Sequence, residues 1–107
     1  MNVDDFKKLL RQYTDEKIKT DEPHISMRCE ENGMTIEGIK RMLLDPYADL
    51  VRIVEDRPEV YKVYYRLSKK RELKVVVDVM EHEKLNIRTV KILNKLSRLT
   101  ALKRRRF

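Results

Sequence analysis

Glycine and proline are scarce in this chain, with two and three copies in 107 residues. That leaves little room for a linker or a low-complexity tail. With the length, it predicts a single domain over residues 1–107 with one modest core. Cysteine occurs once, at Cys29, which excludes an internal disulfide framework and fits a reducing compartment. Histidine occurs twice, at His24 and His82. Together with Cys29 they show no recognised metal-ligand spacing, so no metal or other cofactor is expected. No run of about 18 apolar residues is present, which argues against a membrane span. The opening "MNVDDFKKLL" puts acids before its basic pair and no apolar stretch after it, unlike a secretory signal. A cytoplasmic protein is the expectation. No internal repeat occurs.

Acidic residues are missing in one place. The net charge is +7, but residues 1–54 carry 9 Lys+Arg against 11 Asp+Glu, and residues 55–107 carry 16 against 7. From Lys84 to Phe107 there are nine basic residues and no acidic one. Ordinary solvated faces intersperse the two signs. A one-signed stretch repels itself until a polyanion neutralises it, and phosphate backbones do so with counterion release. The plain alternative is a basic tail of no consequence. Nucleic acid is the partner the charge split favours.

Periodicity organises the rest. Val3, Phe6, Leu9, Leu10 and Tyr13 recur at helical spacing behind Asp4 and Asp5, predicting a helix from about Val3 to Ile18. Thr20 or Asp21 then offers an N-cap, with Pro23 in the first turn of a second helix that runs to Asn32 and stops at Gly33. Thr35 caps a third, with Ile36, Ile39 and Leu43 inward and Asp45-Pro46 as its stop. From there the period changes to two. "ADLVRIVED" and "VYKVYYRL" read as strands joined at Arg57–Glu59, with Lys62, Tyr64 and Arg66 on one face of the second and Tyr61, Val63, Tyr65 and Leu67 on the other. "LKVVVDVM" is apolar on both faces and so central. "LNIRTVKIL" is a fourth strand whose apolar phase slips near Thr89, by a bulge or by burial on both faces. Leu93, Leu96, Leu99 and Leu102 predict a terminal helix. The expectation is an α+β domain, with N-terminal helices on one face of a four-stranded, mainly antiparallel sheet and a helix at the C-terminus.

"HISMRCEENGMTIEGIKRMLLDP" resembles the H-A-x-x-R-x-x-x-R-G-I-S/T-x-E-x-I start of small domains allied to the RelE toxin superfamily, of which BrnT is a toxin member. His24, Arg28, Gly33, Thr35 and Ile39 fall on the pattern. Asn32 stands where the pattern has its second arginine, and Ile25 where it has alanine. "VYKVYYRL", "LKVVVDV" and "NIRTVKIL" are similar to the family's strands. The resemblance covers about Pro23 to Asn94. It implies a RelE-like core over 21–94, and leaves outside it the first helix, over residues 1–20, and a basic helix or tail over 95–107, both read from periodicity and charge. It also implies an RNA-directed activity, a ribonuclease in some members, and for a toxin an acidic antitoxin partner.

Metal-free RNA cleavage uses the substrate's own 2′-hydroxyl and needs proton carriers and cations around the phosphorane. Histidine suits the proton transfers and arginine the phosphate. His24 and Arg28, four apart, would share one helix face. The plain alternatives are a surface histidine, and an Arg28 that pairs with Glu31 or Asp21. His82, flanked by acids, reads as an exposed turn residue. Lys62, Tyr64 and Arg66 put a ring between two cations, a platform for a stacked base with phosphate contacts or simply a solvent-facing strand. Arg88 is carried over from the resemblance as a phosphate binder. Arg98, Arg104, Arg105 and Arg106 extend the basic surface. The candidate catalytic residues are thus His24, Arg28 and Arg88. The candidate nucleic-acid-binding residues are Lys62, Tyr64, Arg66, Arg98, Arg104, Arg105 and Arg106.

The sharpest expectation is a RelE-like, toxin-type domain acting on RNA rather than DNA, as a metal-independent endoribonuclease. The alternative is a non-catalytic nucleic-acid-binding or protein-interaction module, which the asparagine at position 32 and the shortage of histidines favour. A homodimer through the leucine stripe is a third reading, though such stripes are more often core.

Overall fold

The computed structural model describes residues 1–79 and 84–94. Three helices, α1 (Val3–Leu10), α2 (His24–Glu31) and α3 (Ile36–Leu44), precede the main strands β2 (Leu50–Arg57), β3 (Val60–Arg66), β4 (Arg71–Asp78) and β5 (Leu85–Asn94). A three-residue strand, β1 (Ile18–Thr20), sits between α1 and α2. The sheet order is β1-β5-β4-β3-β2, with β1 parallel to β5 and every other pair antiparallel. β4 is the central strand.

Local chemistry explains the helix ends. The Asn2 side chain accepts from the Asp5 N–H at 2.8 Å while the Asp5 carboxylate accepts from the Asn2 N–H at 3.4 Å, a capping box that starts α1. Thr35 caps α3 by accepting from the Gly38 N–H at 3.0 Å. α2 ends in a Schellman turn: Gly33 takes φ +66° and donates to the Glu30 carbonyl, and Met34 donates to that of Cys29 at 2.8 Å. Asn32 ties this end to the sheet. Its Oδ1 accepts from the Ile92 N–H at 3.1 Å and its Nδ2 donates to the Arg28 carbonyl at 2.7 Å.

The sheet departs from the expectation of four mainly antiparallel strands followed by a helix. The first helix stops at Leu10 instead of Ile18, because Ile18, Lys19 and Thr20 pair in parallel with Leu85, Asn86 and Ile87. Two of those three residues are β-branched, and the partner lies over 60 positions away, so helical periodicity yields to a long-range pairing. The result is a five-stranded mixed sheet. At the other end, Leu93 and Asn94 continue β5 opposite Glu72 and Arg71, so no helix begins at Leu93. Leu96, Leu99 and Leu102 lie outside the described residues.

The helices cover one face only. Phe6, Leu10, Ile25, Cys29, Ile39 and Leu43 pack into one cluster with Val63, Tyr65, Leu73, Val75, Val77, Ile87 and Val90 from the sheet. Each fully buried aliphatic or aromatic side chain there contributes roughly 1.5–3 kcal/mol. The slip of phase near Thr89 is a bulge: Thr89 pairs with Val76 but Ile87 with Val77, leaving Arg88 as the extra residue.

Candidate nucleic-acid interface

Residues directly opposite in an antiparallel ladder share a face. The registers of β2 to β5 therefore order the face turned away from the helices into transverse rows. One row crosses four strands as Arg52, Tyr64, Lys74 and Lys91. With strands about 4.8 Å apart it runs for roughly 14 Å. Lys62 lies in the next row beside Val76, and Arg66 on the other side opposite Glu72.

Within the row, the sheet holds some cations and leaves others open. The Arg52 guanidinium sits 3.9 Å from the Tyr64 ring centroid, a cation–π stack. Its Nη1 also lies 3.1 and 3.3 Å from the two oxygens of Glu72, a carboxylate that is 1% exposed. Arg52 is thereby held over the ring. Lys62 Nζ meets Asp56 at 3.4 Å and Arg66 Nη1 meets Asp49 at 3.9 Å. Both pairs are exposed enough to be worth no more than about 1 kcal/mol. Lys74 and Lys91 form no ion pair among the described residues, and they stand directly opposite each other. Like charges so placed destabilise a sheet. The Lys74 ammonium is accordingly easier to deprotonate than usual, first through partial burial, then through Lys62 and Lys91, with Asp56 acting in the opposite sense.

The residues picked from sequence fall into two groups. Lys62, Tyr64 and Arg66 are on this open face. His24 and Arg28 project from α2, which packs on the other face through Ile25 and Cys29. His24 is exposed with no hydrogen bond or ion pair among the described residues. Arg28 pairs with Glu31 at 3.2 Å on the surface. Arg88, on the bulge, reaches Asp21 at 3.8 Å just ahead of α2, and Asn86 donates to the same carboxylate at 2.7 Å. Arg88 thus joins the α2 end of the molecule, two strands and about 10 Å from β3. The sheet and helix groups are not brought into one hollow. His82, Arg98, Arg104, Arg105 and Arg106 lie outside the described residues.

Three members of the row were not singled out from sequence: Arg52, Lys74 and Lys91. Alternation did not assign them, because β4 reads as apolar on both faces and β5 loses its phase near Thr89; the pairing with Tyr64 puts all three on one face. What sequence could not supply was the register that lines them up.

Among the described residues no helix is long and apolar enough to cross a membrane, and no group of three or more His, Cys, Asp or Glu could hold a metal ion. Cys29 is a buried free thiol whose ionisation is disfavoured by burial first, then by Glu22 and Glu37. No family model, curated protein or solved structure matches this chain.

Proposed function

We propose that this chain binds single-stranded nucleic acid, RNA in the first instance, across the open face of its sheet. The observation that supports this reading best is the direct opposition of Lys74 and Lys91 within the row Arg52–Tyr64–Lys74–Lys91. Two lysines left facing each other without an ion pair are a standing cost to the fold, and a phosphate backbone relieves it. The Arg52–Tyr64 stack beside them offers a flat surface to a base, since both guanidinium planes and aromatic rings stack on bases. The net charge of +7 supplies the long-range attraction.

The same geometry favours binding over cleavage. A ribonuclease centre needs its proton carrier beside its phosphate clamps, and His24 lies on the layer opposite Lys62 and Arg66. The resemblance to RelE-type toxins, with its implied acidic partner, rests on the short motif and the order of the strand segments after it.

Fluorescence anisotropy with a labelled 12-nucleotide RNA in EDTA tests the reading. Wild-type protein is expected to bind at low salt, with the RNA intact and His24→Ala without effect. Lys74→Gln/Lys91→Gln removes two contacts, each carrying a salt slope near −0.7, and so weakens binding by about sixtyfold at 50 mM salt. No binding by the wild type, or undiminished binding by the double variant, rejects the sheet face as the site.

A further inference from the structure

A cleft of about 380 Å³ opens on the helix layer, between the ends of α1 and α3. It is separate from the cationic row, which lies on the other face of the sheet. Its volume is at the low end of the roughly 300–1,000 Å³ typical of small-molecule sites. Leu10, Leu43, Leu44 and Pro46 line it, and Tyr65, 2% exposed, is the sheet residue that reaches it.

The polar groups are few and unevenly charged. Lys7 on α1 and Arg11, its C-cap residue, both line the cleft and are four apart. Like charges at that spacing repel, and neither has an ion pair among the described residues. Asp45 is the acid of the lining, but one of its oxygens already accepts the Tyr47 N–H at 2.9 Å. Part of the cationic pair's role is to complement the C-terminal end of α1. That explains a single cation, whereas two on one wall of an apolar cleft also make a receptor for an anion. Tyr13 and Tyr65 line the same space, and burial keeps both phenols in their neutral, hydrogen-bonding form.

We propose that this cleft binds a small organic acid with an apolar or aromatic body, its carboxylate held by Lys7 and Arg11 and its body seated against Leu10, Leu43 and Leu44. The leucine walls supply affinity by shedding water, and the cationic pair supplies the preference for an acid over its neutral analogue.

The test uses the full chain, ¹⁵N-labelled, titrated with 3-phenylpropionate and separately with the neutral 3-phenylpropionamide. Saturable amide shifts confined to the surroundings of Leu10, Arg11, Leu44 and Ala48, with the amide about tenfold weaker, are the expected result. Lys7→Gln/Arg11→Gln, changes at the protein surface, should remove the preference for the acid while leaving the spectrum folded. No saturable shift at millimolar ligand, equal binding of acid and amide, or shifts centred on Lys74 and Lys91 would each overturn the proposal. The last of these would mark general attraction of anions to the sheet.

Discussion

Replacing Lys74 by methionine should make the protein more stable and a weaker binder at once. Methionine keeps most of the length of the lysine stem but removes the charge that Lys91, directly opposite, and Lys62 repel. Relieving one directly opposed like-charge pair is worth roughly 0.2–1 kcal/mol in a sheet. For a domain of this size that raises Tm by about 1–8 °C. The sign with pH follows from the depressed pKa of Lys74. The repulsion is present while Lys74 is protonated, so the gain is full at neutral pH. It fades as pH rises through the lowered folded-state pKa toward the ordinary lysine value of about 10.4, where Lys74 is neutral in folded and unfolded chain alike. On the binding side, losing one phosphate contact flattens the salt slope by about 0.7, which is roughly an eightfold loss at 50 mM salt and threefold at 200 mM. Thermal melts at pH 7 and 10 and an anisotropy salt series read the two arms. A lower Tm together with an unchanged slope would refute the reasoning, for Lys74 would then be a packing residue and not a strained anion receptor.

Two further outcomes follow from the backbone and the core. Glu59, in the β2–β3 turn, holds φ +67°, a left-handed conformation that costs an L residue about 1–2 kcal/mol. Glu59→Gly removes that strain against a larger loss of chain entropy, and urea denaturation should show a net gain of roughly 0.5 kcal/mol; a loss would mean that the Glu59 side chain holds the turn. Tyr65 has its pKa raised by burial and then by Asp45. Its stabilising contribution is therefore intact below the ordinary tyrosine pKa near 10 and drains away as pH climbs above it toward the higher folded value. Tyr65→Phe should flatten the fall of stability between about pH 10 and 11, and an unaltered alkaline slope would assign the fall to other groups.

The parts legible in sequence were those written locally. Thr35 and Gly33 each act within one helical turn, and the structure finds the cap and the left-handed stop where those residues stand. The alternation of "VYKVYYRL" separated Val63 and Tyr65 from Lys62 and Tyr64 because strand period needs no partner. What failed was long-range. Ile18 fits the apolar phase of the first helix, and only Leu85 and its neighbours turn it into a strand. Leu93 fits a leucine stripe, and only Glu72 on β4 holds it in the sheet. The site suffered likewise: His24 and Arg28 sit one helical turn apart in sequence, but which face of the sheet their helix covers is decided by Ile25 and Cys29 entering the core. Asn32 gains a structural role that its place in the motif did not announce, capping the edge of β5 at Ile92.

The extra residue at Arg88 sits between two halves of β5 that both belong to the interior. Ile87 and Val90 are three positions apart, an odd spacing that strict alternation would send to opposite faces, yet both are fully enclosed. Remove that one position and Ile87 opposite Val77 runs straight on to Thr89 opposite Val76, so Leu85, Ile87, Val90 and Ile92 all stay inward by plain alternation and Lys91 stays opposite Lys74. Shortening at 88 therefore costs the Arg88 contact to Asp21 but not the register. A deletion at Lys91, where every position is paired, has no spare residue to absorb it and turns Ile92 away from the core while taking the partner of Lys74.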